Sequence, residues 1–87
     1  MWTEESEAHI ARHAVTPAEV GEGVDSRPVL VAAGRDGSTL IFGTTNAGRR
    51  LFVVLDEAAD GRWFVVTARD MTAREQHEFR EREGGKR

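Results

Sequence analysis

Two arginines are the residues of this chain best placed for chemistry. Arg49 and Arg69 each stand at one end of an apolar segment, and a short acidic loop separates the two segments. If the segments pair as antiparallel strands with Asp56 near Arg62, Arg49 lies roughly opposite Arg69. Two guanidinium groups on one sheet face can bind a phosphate and stabilise the added charge of a pentacoordinate transition state. This pattern predicts a phosphate clamp.

The same arginines have an alternative role as partners in ion pairs. Asp56, Asp70 and Glu75 all lie near them in the sequence, and each carboxylate could neutralise one guanidinium. From the residues alone, a phosphate and an ion pair are equally good partners for Arg49 and Arg69.

A histidine and a glutamate could transfer protons in such a site. His13 follows Arg12 at the end of a predicted helix, and an imidazole titrates near neutral pH. Glu75 could serve as a general base. Both residues also have structural interpretations, His13 as a surface residue at a helix end and Glu75 as the partner of Thr72 in a capping box.

The chain has no pattern typical of metal or cofactor binding. It has no cysteine, no metal-ligand spacing, no nucleophile elbow and no glycine loop that would hold a phosphate. The glycines between residues 34 and 48 are interpreted as turn glycines. We therefore expect no metal and no cofactor.

Length and composition indicate one small domain over residues 1–87, with 84–87 as a frayed tail. The lack of cysteine fits a reducing compartment. The N-terminus is acidic where a secretory signal would be basic, and no apolar run approaches the ~20 residues of a membrane span. We expect a cytoplasmic protein without a membrane segment.

Charge is unevenly distributed along the chain. Residues 1–25 carry six acidic side chains and one basic one, whereas residues 26–55 carry four arginines and one aspartate. A net charge of −3 argues against non-specific nucleic-acid binding, so any RNA contact should be local and salt-sensitive. The candidate RNA contacts are Arg12, Arg35, Thr45 and Trp63, and Trp63 could instead be a core residue.

Helix patterns lie at both ends of the chain and strand patterns between them. The first helix is predicted from Thr3 to His13, a second starts at the Thr16 to Glu19 capping box, and a third runs from the Thr72 box to about Glu83. Strands are predicted at 29–33, 39–43, 49–55 and 62–69, joined by short loops that include an Asp36-Gly37 hairpin turn.

This order predicts an α+β fold of two layers. Two N-terminal helices precede a four-stranded antiparallel meander, and a C-terminal helix follows it. With one face of the sheet covered by helices, the other face is where a ligand would bind.

Several short motifs, taken in order, resemble one known family. They are an early tryptophan (Trp2), a basic residue followed by histidine (Arg12-His13), a helix start (Val15 to Val20), a Gly-Arg strand (Gly48 to Val54), and Thr67-Ala68-Arg69 followed by Thr72 to Glu75. This set resembles the BrnT-type ribonuclease toxins of bacterial type II toxin–antitoxin systems, which have a RelE-like fold. The likeness spans nearly the whole chain.

The resemblance implies an endoribonuclease that cleaves mRNA without a metal, through attack of the ribose 2′-hydroxyl on the adjacent phosphorus. The corresponding site residues would be His13, Arg49 and Arg69. It also implies a cognate antitoxin that covers the active face in a heterotetramer and binds operator DNA on behalf of the complex.

The chain departs from the family pattern at several positions. It has Gly43-Thr44-Thr45 where the family commonly has Gly-Arg-Ser/Thr, Phe79 where a tyrosine is common, and Ala14 where a glycine often follows the histidine. These departures leave a second hypothesis open, a non-catalytic toxin-like module that acts in antitoxin binding or operon repression.

Overall fold

The computed structural model describes the backbone of residues 2–84 and the side chains of residues 2–82. The chain forms, in order, α1 (Glu4–Arg12), α2 (Pro17–Asp25), β1 (Leu30–Ala33), a short 3-10 turn (Arg35–Gly37), β2 (Thr39–Thr44), β3 (Arg50–Glu57), β4 (Trp63–Asp70) and α3 (Ala73–Gly84). The predicted α+β fold is therefore confirmed. Of the predicted frayed tail, Gly84 ends α3, and 85–87 lie outside the described residues.

Capping boxes start the second and third helices as predicted. The backbone N–H of Thr16 donates to Glu19 at 3.0 Å, and that of Thr72 donates to Glu75 at 2.8 Å. The hydroxyl of each threonine accepts the backbone N–H of its glutamate in return. A similar box between Thr3 and Ser6, which was not predicted from the sequence, starts α1.

The sheet has the strand order β1-β2-β3-β4 and is antiparallel throughout, which confirms the predicted meander. Its register differs from the predicted one, because Arg69 pairs with Phe52 and not with Arg49. Two features cause the difference. The β3–β4 turn closes between Ala58 and Arg62, and a β-bulge shifts the register beside Val54. The predicted opposition of the two arginines is therefore wrong.

One face of the sheet, the core face, lies under α1 and α2. Its apolar residues pack with those of the two helices in a single cluster. The buried members are Ile10, Val15, Val20, Ile41, Leu51, Val53, Val65 and Ala68. Because the helices bury these side chains against the sheet, the N-terminal third of the chain is fixed relative to β2, β3 and β4.

The bulge also changes which face Trp63 occupies. Val65 and Ala68 both point into the core although they are three residues apart, which an unbroken strand would not allow. Trp63 shares the side of Val65, whereas Arg69 lies on the opposite side from Ala68. Trp63, a candidate RNA contact, therefore does not share a face with Arg69, and it is 45% exposed at the strand end.

The opposite side of the sheet, the outer face, carries Phe42, Phe52 and Arg69. This face was predicted to be open for a ligand, but α3 lies against part of it. Phe79 of α3 is buried, and the guanidinium of Arg50 lies over its ring at 5.3 Å. A groove remains between α3 and strands β1 and β2.

Gly43 has a different role from the predicted one. It lies inside β2, directly under Gly23 of α2, and not in a turn. The hydroxyl of Ser26 donates to the Gly23 carbonyl at 2.7 Å and accepts the N–H of Thr44 at 3.1 Å. Gly43 therefore lets the helix backbone approach the strand closely.

Among the described residues, no helix combines the length and the apolar character that crossing a membrane requires.

Candidate functional site

The predicted site residues fall into two groups on opposite sides of β4. His13 and Arg49 lie beside Asp70 at the corner between α1 and α2. Arg69 and Glu75 lie on the outer face, below the start of α3. Neighbouring residues of a strand point to opposite faces, which explains why Arg69 and Asp70 belong to different groups.

Arg49 is the centre of the first group, the Arg49 cluster. Its Nε and Nη2 donate to the two carboxylate oxygens of Asp70 at 2.6 and 3.1 Å. Its Nη1 donates to the Ala14 carbonyl at 2.7 Å and to Glu19 at 3.3 Å, and its Nη2 donates to the His13 carbonyl at 3.0 Å. A guanidinium has five N–H donors, and these contacts account for all of them.

The Arg49 cluster connects parts of the chain that are distant in sequence. Ala14 has a φ of +56°, the left-handed region that an alanine seldom adopts, and its carbonyl is one of the acceptors. Arg49 therefore holds the α1–α2 corner against the ends of β3 and β4. Arg49 thus forms the ion pair that was the alternative to a phosphate clamp, and its contacts leave no N–H for a phosphate. Arg69 also forms an ion pair, with Glu75.

Hydrogen bonding and charge shift the titration of this cluster. The Arg49 side chain holds the pKa of the Asp70 carboxyl below its ordinary value, with a smaller contribution from the charge of His13. Glu19 also has a lowered pKa, first because the Thr16 backbone N–H donates to it and then because of Arg49. Both carboxylates therefore stay ionised at neutral pH.

We predict that Arg49→Ala lowers the free energy of unfolding by about 2–3 kcal/mol, the value of one strong hydrogen bond to a charged group, because solvent screens these partly exposed ion pairs. Urea unfolding measures the change. Arg49→Lys is expected to recover only a minor part, since an ammonium cannot reach two carboxylates and two carbonyls at once. An unchanged unfolding midpoint would mean that the cluster contributes no more than an exposed ion pair.

The second group is the Arg69–Glu75 pair. Nη1 and Nη2 of Arg69 donate to the two carboxylate oxygens of Glu75 at 2.8 and 3.1 Å, and Nη1 also donates to the Asp70 carbonyl at 3.0 Å. The guanidinium lies over the Phe52 ring at 4.3 Å. Within residues 2–82, Nε and the second hydrogen of Nη2 make no hydrogen bond, so Arg69 keeps donors for a ligand.

Glu75 remains a carboxylate in this arrangement. The Arg69 hydrogen bonds lower the pKa of Glu75, the Thr72 N–H lowers it further, and partial burial opposes both. The same pairing raises the pKa of Arg69. An ionised carboxylate beside an arginine with donors to spare can accept a proton next to a bound anion.

The lowered pKa values predict a loss of stability in acid. A carboxyl whose pKa is lower in the folded state stabilises the fold fully above its unfolded pKa, and that contribution disappears as the pH falls through the folded pKa. Asp70 and Glu75 both have this sign. We expect the free energy of unfolding to fall below about pH 4.

Urea unfolding from neutral pH to about pH 3 measures this dependence. An Asp70→Asn, Glu75→Gln double variant should be less stable at neutral pH and should show a flatter acid limb. Equal slopes for the wild type and the double variant would exclude these two groups as its source.

His13 ends α1 and is exposed, which agrees with its structural interpretation. Its backbone carbonyl accepts from Arg49, and its charge acts on Asp70. It therefore lies with the Arg49 cluster and not with Arg69 and Glu75. The structure does not bring the four predicted catalytic residues into one constellation.

The four candidate RNA contacts are not gathered either. Arg12 is exposed at the end of α1, and Arg35 is exposed in the turn between β1 and β2. Thr45 is buried. Its hydroxyl accepts a hydrogen bond from the backbone N–H of Arg49 at 3.0 Å, which helps to close the β2–β3 turn. Thr45 is therefore a buried turn residue whose side chain has a structural role, and its RNA contact stays a prediction.

Two partners in these groups were not predicted from the sequence. Glu19 was assigned only to its capping box, and Phe52 only to the predicted strand 49–55. In the structure Glu19 contacts Arg49, and Phe52 contacts Arg69. Neither contact leaves a local signal, because each joins distant elements. In the part of the chain that the structure describes, no cluster of three histidine or acidic side chains could hold a metal ion.

Comparison of the chain with protein-family models, with curated proteins and with solved structures finds no match.

Proposed function

We propose that this chain is the toxin of a bacterial type II toxin–antitoxin pair and acts in the cytoplasm as a metal-independent endoribonuclease on mRNA, neutralised by a cognate antitoxin. The observation that carries the proposal is the Arg69–Glu75 pair, an ionised carboxylate held at 2.8 Å from an arginine that retains donors. The ordered motifs that resemble BrnT-type toxins add support.

The left-handed conformation of Ala14 also supports the proposal. The resembling family often has glycine at this position, and glycine is the residue that adopts a positive φ most readily. The chain thus keeps the local backbone geometry that the family's glycine would suit.

In the proposed reaction, Arg69 binds the scissile phosphate and Glu75 removes the proton of the ribose 2′-hydroxyl. The 2′-oxygen attacks phosphorus, and the bond from phosphorus to the 5′-oxygen breaks. Arg69 stabilises the extra negative charge of the pentacoordinate transition state. The leaving 5′-oxygen takes a proton from water, because His13 lies across β4 with Arg49. The products are a 2′,3′-cyclic phosphate and a 5′-hydroxyl.

RNA end mapping after controlled induction tests the proposal. Wild-type protein should generate new 5′-hydroxyl ends and arrest growth, and the purified protein should cut RNA equally well with a metal chelator. Intact RNA with normal growth would reject the ribonuclease.

One observation favours a second function, a toxin-like module that binds the antitoxin without cleaving RNA. All five donors of Arg49 are occupied, so the two-arginine clamp is lacking. This function predicts a stable complex with the product of an adjacent antitoxin gene, together with unchanged RNA ends.

A further inference from the structure

The groove on the outer face has a volume of about 220 Å³ and lies beside the Arg69–Glu75 pair. Its walls are mainly apolar, with strands β1 and β2 on one side and α3 on the other. The lining includes Leu30, Leu40, Phe42, Glu75, Glu78 and Phe79. The groove is smaller than the ~300–1,000 Å³ of a typical ligand pocket, which suits one planar ring system.

A row of side chains connects this groove to Arg69. Leu30, Phe42, Phe52 and Arg69 are direct cross-strand neighbours on β1, β2, β3 and β4. The Phe42 and Phe52 rings lie 5.2 Å apart, and Arg69 stacks on Phe52 at 4.3 Å. Phe42 is two strands from Arg69, ~10 Å away at the usual strand spacing. One nucleotide spans that distance from its phosphate to its base.

Two carboxylates line the groove, and they differ in availability. Both oxygens of Glu75 accept from Arg69, and one also accepts from Thr72. The side chain of Glu78 is 66% exposed, and among the described residues it makes only a long contact of 3.7 Å with Arg74. Glu78 can therefore offer both oxygens to a ligand in the groove.

We propose that this groove is a guanine subsite and that Glu78 determines base specificity. A carboxylate accepts two parallel hydrogen bonds, and guanine presents adjacent N1–H and N2–H donors on its Watson–Crick edge. Apolar side chains such as Leu40 and Phe79 would contact the faces of the base. Arg82 also lines the groove.

The other bases do not offer this donor pair. The Watson–Crick edges of adenine and cytosine combine one amino group with acceptors, and uracil has a single N–H between two carbonyl oxygens. Each of them would place an acceptor against a carboxylate oxygen. Guanine is thus the base whose two adjacent hydrogen-bond donors match the two acceptor oxygens of the Glu78 carboxylate.

The position of Glu75 indicates which nucleotide carries the guanine. Glu75 lines the groove and also contacts Arg69. The base in the groove would then belong to the ribose whose 2′-hydroxyl attacks, so cleavage follows a guanosine. The position of the guanosine relative to the cleaved bond is the one part of this proposal that rests on the proposed ribonuclease function.

Nucleotide binding tests the subsite without requiring cleavage. Guanosine 3′-monophosphate and adenosine 3′-monophosphate are titrated into the wild-type protein, and NMR shifts of groove residues are compared with those of α1. We expect guanosine 3′-monophosphate to bind at least ~10-fold tighter. Glu78→Gln should remove this preference. Glu81→Gln, which changes the same charge on α3 outside the groove, should retain it.

Cleavage mapping of the same proteins separates the two proposals. Equal binding of the two nucleotides, or a preference that survives Glu78→Gln, overturns the guanine subsite even if RNA is cut. A guanine preference without any RNA cleavage supports the subsite and overturns the ribonuclease alone.

Discussion

Arg69→Ala is expected to lower RNA cleavage by at least ~100-fold, the loss seen when a donor to transition-state charge is removed. Arg69 contacts Glu75, the proposed general base, and it retains N–H donors for a phosphate. In the ribonuclease proposal it acts on the charge that develops at phosphorus. Its removal should therefore affect the reaction far more than the fold.

A matched control is available in Arg62→Ala. Arg62 lies in the β3–β4 turn, its side chain is 72% exposed, and it pairs with Asp60 of the same turn. This variant makes the same change in net charge outside the candidate site and should cleave RNA like the wild type. Undiminished cleavage by Arg69→Ala would remove Arg69 from the mechanism.

The folding of Arg69→Ala must be measured alongside its activity. Loss of the Glu75 hydrogen bonds and the Phe52 contact should cost about 1–2 kcal/mol of unfolding free energy. Urea unfolding measures this free energy, and circular dichroism during heating gives the temperatures at which the variant remains folded. RNA cleavage by the variant and the wild type is then compared at one of these temperatures. Loss of activity in a folded variant then reports on chemistry.

Gly43→Ala is expected to lower the stability of the fold severely, although it adds a single methyl group. A Cβ at Gly43 would overlap the carbonyl oxygen of Gly23 and lie 2.7 Å from its carbon and 2.9 Å from Ser26 Oγ. These are backbone and hydrogen-bonded atoms, so α2 must move away from the sheet. We expect a loss of at least ~4 kcal/mol, which belongs to the exceptional range for one substitution.

Gly21→Ala is the matched control for this prediction. Gly21 is exposed on the same helix, and a Cβ there would meet no atom within 4 Å. This variant should gain about 0.5–1 kcal/mol, because alanine favours helix more than glycine does. Urea unfolding of both variants measures the contrast. An unchanged midpoint for Gly43→Ala would mean that α2 does not need its close approach to β2.

The features that the sequence predicted correctly are those with local causes. The capping boxes at Thr16 and Thr72 use residues three apart, and the Asp36-Gly37 turn has the positive φ values that its residue types favour. The meander follows from short loops between strand patterns. Each of these can be recognised within a few residues of chain.

Register and site assembly depended on contacts that no local pattern encodes. The bulge in β4 allows both Val65 and Ala68 to reach the core, where they pack with residues of α1 and α2. Arg49 is saturated by acceptors more than twenty residues away, among them Ala14 and Asp70. The mutual positions of the candidate site residues therefore required the tertiary fold.

The attachment of α3 has a consequence for timescales. Of its described side chains only Phe79 is buried, and the Arg69–Glu75 pair also links the helix to the sheet. A polar helix held this way should open locally, and its amide hydrogens should exchange with solvent sooner than those of β3 and β4. We therefore expect the arginine of the candidate site to stay in place on its strand for longer than the glutamate stays in place on α3.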